Sequence, residues 1–385
     1  MASRSTTAPE AGAATARPAR ATMREVAQAA GVSLSTASRA LTGSGYVSAD
    51  VRKRVAKAAA DLEYVPDATA RNLRQQTSRV IGVIVSDLRD PFYVDLASGI
   101  SGQCRRRGHG MMLADNGGAV RRELEAAESF VSARVTGVVL TPMSKDASAY
   151  LLSHGVPVVE VDRQFAEGVC DAVVTDNRAA AFKVTQDLAA LGHKRIALLI
   201  DETDWTTGRD RLSGFKQALE QAGLGAAAGL VTTAGLDVVQ AQGVAAKLLT
   251  RRDRPTAVFA ANNLLAEAVW RAAEAVGRTI HDELSLACFD DVRWMTMVTP
   301  AITTVAQDAV SMGEIAVDQL LERSRNPSSP VRTVMLNATV VRRGSTAPPP
   351  ARPGRASAFA PRGGDALDEV ALAEREQDQH RDGHQ

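Results

Sequence analysis

The densest set of residues able to do recognisable chemistry lies near the amino terminus. Thr22-Met23-Arg24-Glu25 has capping-box spacing: the Thr22 hydroxyl accepts the N–H of Glu25, and the Glu25 carboxylate takes the N–H of Thr22. The helix so started runs through Val26-Ala27-Gln28-Ala29-Ala30 and stops at Gly31, which suits a positive φ. Val32 plugs the turn and Ser33 caps a second helix, Leu34 to Leu41. The pattern Ala27-x3-Gly31-x5-Ala37 fits a helix-turn-helix. Its small Ala27 permits a close crossing, and Val26, Ala30, Val32, Ala37 and Leu41 share one core. The solvent face of the second helix then carries Leu34, Ser35, Ser38 and Arg39. An arginine there can grip guanine O6 and N7 together, and short hydroxyls suit phosphates. The chemistry on offer is recognition of duplex DNA through the major groove. A three-helix bundle with an ordinary polar surface fits the same spacing.

A third helix completes the head. Ser48 caps it, and Val51, Val55, Ala58 and Leu62 make its apolar stripe. Charge follows the same division. The 385-residue chain balances 45 Lys+Arg against 44 Asp+Glu, yet residues 1–79 hold 12 basic and 6 acidic side chains. Residues 80–346 hold 28 and 31. A basic head on a mildly acidic body points to a polyanionic partner for the head alone.

From Arg79 the texture changes. Short β-branched runs, Val80–Val85, Met111–Ala114, Gly137–Leu140, Pro157–Val161, Arg195–Ile200, Thr256–Ala260 and Leu284–Phe289, alternate with amphipathic segments such as 92–107, 178–191 and 263–276. This alternation predicts parallel sheets, and its length predicts two α/β lobes. The expected organisation is a disordered arm over 1–21, a helix-turn-helix domain over 22–65, a hinge over 66–78, a two-lobed body over 79–346 and a disordered tail over 347–385.

Other chemistry finds little support. Cys104, Cys170 and Cys288 lie far apart and read as reduced core thiols, without a disulfide frame or zinc site. His380 and His384 bracket a glycine in a low-complexity tail, a poor metal pair. His193 reads as a helix terminator. Gly223-x-Gly225-x3-Gly229 lacks dinucleotide-binding spacing, and neither a phosphate loop nor a GxSxG elbow occurs. Asp290-Asp291 are consecutive after a strand and point different ways. The expectation is no enzyme, no cofactor and no metal. No apolar run approaches a membrane span and no secretory signal is read, so the expected location is cytoplasmic.

With these features in place the chain strongly resembles the LacI–GalR family of bacterial transcription regulators. The likeness begins at Thr22-Met23-Arg24-Glu25-Val26-Ala27 and Gly31-Val32-Ser33 through Leu41. It continues through Tyr64-Val65-Pro66, Ala68–Arg74, Asp90-Pro91-Phe92-Tyr93, Asp162-Arg163, Asp176-Asn177, Leu191–Ala197, Arg211–Phe215, Ala260–Asn263 and Phe289-Asp290-Asp291, to Val341–Thr346. Each body motif is weak alone; the ordered set is specific.

The resemblance implies an all-α helix-turn-helix head followed by a two-lobed α/β, periplasmic-binding-protein-like body with mainly parallel sheets. It implies a homodimer, with pairing into a tetramer left open, on near-palindromic double-stranded operator DNA. Leu34, Ser35 and Arg39 fall where the family reads bases, Thr36 and Ser38 where it meets phosphates. Ala70, Leu73 and Arg74 fall in a hinge helix whose leucine wedges into the minor groove. Leu34 departs from the more polar or aromatic residues common there, and Thr69 from an aliphatic one. In the body the resemblance implies an effector cleft. Asp90 can accept ligand hydroxyls or simply cap its helix; Phe92 and Tyr93 can supply an aromatic platform. Arg211, Asn262 and Asp290 match polar contacts, and Phe259 and Trp205 are apolar walls or lobe core. Asn263 departs from the acidic residue usual after the matched asparagine.

The function expected is a repressor whose operator affinity is switched by a small effector, a sugar or related metabolite. The alternatives are an activator built from the same parts and, further off, a solute-binding protein without DNA function.

Overall fold

The computed structural model describes residues 21–43, 45–64, 78–225, 229–235 and 237–350. The arm over 1–20, the hinge over 66–77 with Ala70, Leu73 and Arg74, and the tail from 351 lie outside the described residues.

The head forms three helices: α1 (Met23–Ala29), α2 (Leu34–Thr42) and α3 (Ala49–Asp61). The capping box closes at both ends, Glu25 N–H to Thr22 Oγ1 at 3.3 Å and Thr22 N–H to Glu25 Oε2 at 2.6 Å. Gly31 sits at φ 62°, which lets the Val32 N–H reach back to the Ala27 carbonyl at 3.0 Å. Ser33 Oγ accepts the N–H of Thr36 at 3.1 Å, and Ser48 Oγ that of Val51 at 3.4 Å. Val26, Ala27, Ala30, Ala37 and Val55 are buried together, with Val32, Leu41 and Val51 packed against them. The predicted stripe of α3 is one residue too long. Leu62 lies past the helix as its C-cap and is 37% exposed, so the core is closed by Ala58 and Ala59 instead.

The body contains two six-stranded sheets. The first has the order β11-β5-β4-β3-β1-β2, from β1 (Val80–Val85), β2 (Gly110–Asp115), β3 (Gly137–Leu140), β4 (Val158–Val161), β5 (Asp171–Thr175) and β11 (Thr333–Leu336). The second has the order β12-β10-β9-β8-β6-β7, from β6 (Ile196–Ile200), β7 (Gly229–Thr233), β8 (Ala257–Ala260), β9 (Ser285–Phe289), β10 (Thr303–Ala306) and β12 (Thr339–Val341). All neighbours are parallel except β10 and β12. The central strands are buried end to end, as sheets covered on both faces require. All seven runs read from the sequence are strands; β5, β7, β10, β11 and β12 are additional.

The first lobe adds helices α4 (Pro91–Arg106), α5 (Val120–Ser132) and α6 (Asp146–Ser153). The second adds α7 (Asn177–Ala190), α8 (Thr206–Gln221), α9 (Val238–Thr250) and α10 (Asn263–Ala275). The chain passes between lobes at 175–177, 306–309 and 336–339. After the second passage α11 (Ala309–Arg325) returns to the first lobe. The helix following each of the first two passages packs on its lobe through a glycine. In the first lobe a Cβ on Gly313 of α11 would stand 2.6 Å from the Leu96 carbonyl of α4. In the second, a Cβ on Gly214 of α8 would meet the Arg178 carbonyl of α7 and stand 2.8 Å from the Phe182 amide. Backbone cannot yield as a side-chain tip can. Gly313→Ala and Gly214→Ala should each therefore lower stability by about 1–3 kcal/mol in urea unfolding. Wild-type midpoints would show that these contacts are looser than described.

Candidate ligand cleft and nucleic-acid interface

On the head, capping points the start of α2 outward. Leu34, Ser35 and Arg39 are exposed and Thr36 and Ser38 half-buried, while Ala37 and Ala40 face the core. All five predicted α2 residues thus reach one accessible surface. Ser33 Oγ lies 2.9 Å from Ser35 Oγ and 2.8 Å from Thr36 Oγ1, a cluster of hydroxyls at a helix N-terminus, which favours anions. The Arg39 Nε donates to the Ser35 carbonyl at 3.3 Å, laying the guanidinium along the helix face. Tyr46, between α2 and α3, is 92% exposed, a residue that α2 spacing could not point to.

In the body, strand ends from both lobes converge on one cleft, as open parallel sheets dictate. Its lining includes Ser86 and Asp90 beyond β1, Asp162 and Arg163 beyond β4, Asp201 and Trp205 beyond β6, Asn262 beyond β8 and Asp290 beyond β9. Phe92 and Tyr93 of α4, Thr207 and Arg211 of α8, and Gln307 in the second passage complete it. Among the described residues no group of three or more His, Cys, Asp or Glu is arranged to hold a metal ion. None of their helices is long and apolar enough to cross a membrane.

The first lobe centres on Arg163, which is 3% exposed. One terminal nitrogen donates to Ser86 Oγ at 2.5 Å and to the Tyr93 hydroxyl oxygen at 2.6 Å; its Nε reaches Asp162 Oδ2 at 3.3 Å. The Tyr93 hydroxyl donates to Asp162 Oδ2 at 3.2 Å. Phe92 meets the Tyr93 ring edge-on, centroids 5.1 Å apart. Across the lobes Arg163 stacks over Trp205, 4.2 Å from its centroid, and the Gln164 N–H donates to Thr206 Oγ1 at 3.1 Å. Trp205 is thus a cleft wall.

In the second lobe Arg211 is buried. Its Nε donates to Asn177 Oδ1 at 2.8 Å and a terminal nitrogen to the Ala261 carbonyl at 2.5 Å. Its guanidinium lies 3.7 Å above the Phe289 ring centroid. Asp290 takes a hydrogen bond from Gln307 Nε2 at 2.7 Å. Burial pushes the Asp290 carboxyl up while Arg211 pulls it down; burial likewise pushes Asp201 up, against Arg211 and Arg163. Asp162 and Asp290 hold φ values of 66° and 75°. These left-handed conformations cost about 1–2 kcal/mol for residues with a Cβ, and here they turn a carboxylate inward at the end of a strand.

Asp90 has the capping role expected of it and also borders the cleft. Its Oδ1 accepts the Phe92 N–H at 2.9 Å as an N-cap, and the side chain also lines the cleft. Asn262 likewise caps α10, accepting the Leu265 N–H at 2.9 Å. Phe259 corrects the expectation of an apolar wall. It is fully buried within β8 and belongs to the core of the second lobe, outside the lining. Strand geometry turns its side chain away from the cleft end. Asp162 and Arg163 were visible only as a motif, and no pattern marked Ser86, Asp201, Thr207 or Gln307. His193, just past α7, is buried against Ser285 and the Ala347 carbonyl.

A helix-turn-helix head joined to a two-lobed binding-protein body defines a ligand-controlled DNA-binding regulator. Residues 22–67 match the family model for bacterial regulatory proteins of the lacI family, and residues 185–346 that for a periplasmic binding protein-like domain. The chain is 30% identical over 328 residues to the ribose operon repressor of Escherichia coli (strain K12), covering 84% of this chain and 99% of that protein. It is 27% identical over 326 residues to the transcriptional repressor PurR of Vibrio atlanticus, covering 84% and 98%. Among solved structures it is similar to a LacI family regulator from Enterococcus faecium with bound ribose. The TM-score there is 0.64 at 27% identity, over 70% of this chain and 99% of that one. The lac repressor dimer bound to operator shares the fold, with a TM-score of 0.76 at 24% identity over 86% and 100%. The chain belongs to the LacI family and is a DNA-binding transcriptional repressor under effector control.

Arg163→Ala would leave Asp162 buried without its cation. The expected cost is about 3–5 kcal/mol, the range for breaking a buried pair from one side. Urea unfolding checks it; a loss under about 1 kcal/mol would show that the Tyr93 hydroxyl suffices.

Proposed function

We propose that the effector is a neutral polyhydroxylated molecule of monosaccharide size, and that D-ribose is the first candidate. The carrying observation is the charge and commitment of the cleft. Asp90, Asp162, Asp201 and Asp290 face two guanidiniums, Arg163 and Arg211, while Asp87 and Arg89 pair at the mouth, 2.7 Å apart. Both inner arginines already donate to protein acceptors. A phosphate or carboxylate would meet excess negative charge. A hydroxyl both donates to a carboxylate and accepts from an amide or guanidinium. The cavity volume is about 130 Å³, small beside the roughly 300–1,000 Å³ of drug-sized sites, which favours one sugar ring over two. The similarity to ribose operon repressors and to a ribose-bound regulator supports the same class.

In this reading Asp90, Phe92, Tyr93, Arg211, Asn262 and Asp290, with Asp162, Arg163 and Trp205, hold the effector. Leu34, Ser35 and Arg39 read bases of a near-palindromic operator and Thr36 and Ser38 meet phosphates; in the hinge Leu73 wedges into the minor groove, Arg74 holds the groove edge or a phosphate, and Ala70 contacts DNA. The effector transmits by its different affinity for the two lobe arrangements. Two ties connect cleft to passages: Arg211 to Asn177 at the first, and Asp290 to Gln307 at the second. The protein works as a homodimer. Edge strands β2 and β7 end the two sheets with exposed Met112, Leu113 and Val231, an apolar margin suited to a second copy. It acts on DNA in the cytoplasm and binds its effector without transforming it.

The test is fluorescence anisotropy on an operator obtained by in vitro selection. Arg39→Ala should weaken the selected site by about 1–3 kcal/mol and leave random DNA nearly unchanged. Saturating D-ribose should change wild-type operator affinity about 5–150-fold. Equal losses on both DNAs would remove the base-reading role. No change with D-ribose, and a change with a sugar phosphate, would overturn the effector class.

A further inference from the structure

Asn263 opens helix α10 without capping it, since that cap is supplied by Asn262. Its side chain is turned across the cleft and is 2% exposed as a residue. Its Nδ2 lies 2.9 Å from Asp90 Oδ1 on the first lobe and 3.5 Å from Asp290 Oδ2 on its own lobe. A primary amide carries two N–H donors, one for each carboxylate.

We propose that Asn263 is a positioning residue for the effector response: its amide bridges Asp90 of the first lobe to Asp290 of the second, and so makes closure of the cleft over two facing carboxylates favourable. The inference deepens the effector-control reading, because it concerns how the same cleft closes.

Two carboxylates brought together out of water repel each other. Burial and the neighbouring Asp290 hold the Asp90 carboxyl up at about 7, and burial pushes Asp290 up. Asp162 adds negative charge toward both. Asp201, Arg163 and Arg211 are the other charged groups lining the interior. Of the two cations, Arg163 is tied to Ser86, Tyr93 and Asp162, and Arg211 to Asn177 and Ala261. The Asn263 amide reaches both carboxylates from between them. An aspartate at 263 would put an acceptor where donors are needed and add a third negative charge.

Closure lifts the Asp90 carboxyl above its value in water, so closing takes up a proton. Closure is then fully favoured below about pH 4, the ordinary aspartate value, and weakens as pH rises through about 7. Effector affinity follows the closed fraction, since apparent Kd is the intrinsic Kd divided by the competent population.

Spin labels at Lys145→Cys and Asp204→Cys, exposed positions beyond β3 and β6, report the inter-lobe distance by pulsed electron paramagnetic resonance. The full-length protein is measured with no added ligand. At pH 7.5 Asn263→Asp should shift the distribution to longer distances. Lowering the pH to 5, or adding Asp90→Asn, should restore the wild-type distance. Apparent D-ribose affinity should fall about tenfold or more in Asn263→Asp at pH 7.5. An unchanged distribution, or a lengthening that persists at pH 5 and in the double variant, would overturn the bridge. If Asn263→Asp melts early, Asn263→Ser keeps a neutral donor on a shorter arm. A lengthening with it supports the bridge, and wild-type distances contradict it. The distance is read without ligand, so failure of D-ribose to bind would count against the effector reading alone.

Discussion

Everything in the body turns on four carboxylates and two guanidiniums gathered between lobes joined at three passages, all but Asp201 buried. Charges out of water must be paired or hydrogen-bonded, and the pairing partners here come from separate lobes and distant stretches of sequence. Trp205 covers Arg163, Thr206 accepts from Gln164, and Asp90 accepts from Asn263. Opening the cleft breaks these contacts together and returns the charges to water. Under the proposed reading, the equilibrium between an open and a closed cleft is electrostatic in origin and sensitive to one small ligand.

The same residues connect outward. Arg211 holds Asn177, which begins α7 after the first passage, and Asp290 holds Gln307 within the second. The glycine-tight helix pairs α4/α11 and α7/α8 leave the helices within each lobe little room to shift against one another. A ligand that changes the groups around Arg211 and Asp290 thus acts beside two of the three passages between the lobes. The left-handed backbone at Asp162 and Asp290 marks the same two strand ends. Glu63, Arg134 and His281 share that conformation away from the cleft, but at these two strand ends it carries a carboxylate into the lining.

The head was almost wholly legible because its signals are local: a capping box, a turn glycine and two serine caps act within four residues. Its one misread residue, Leu62, lies at a helix end, where a stripe carries no stop signal. In the body, β1, β3, β6 and β8 stood out as continuous apolar runs. Strands β5, β7 and β10–β12 are three to five residues long, and β7 and β11 are half-exposed along their length. They leave little periodic trace. Phe259 was misplaced because a four-residue strand buried on both faces shows no alternation to tell cleft from core. Arg163 reads in sequence only as half of a two-residue motif, and its importance comes from Ser86 and Tyr93, some seventy positions away. Asn263 could be noticed as a departure from its relatives, but its carboxylate partner on the other lobe, Asp90, comes beside it only when the lobes meet.

The central claim is that occupancy of the cleft and grip on DNA are one linked equilibrium. The most direct measurement is the full thermodynamic cycle: operator affinity with and without saturating D-ribose, and D-ribose affinity with and without saturating operator. Linkage requires the two ratios to be equal and different from one. Two affinities each indifferent to the other ligand would contradict it.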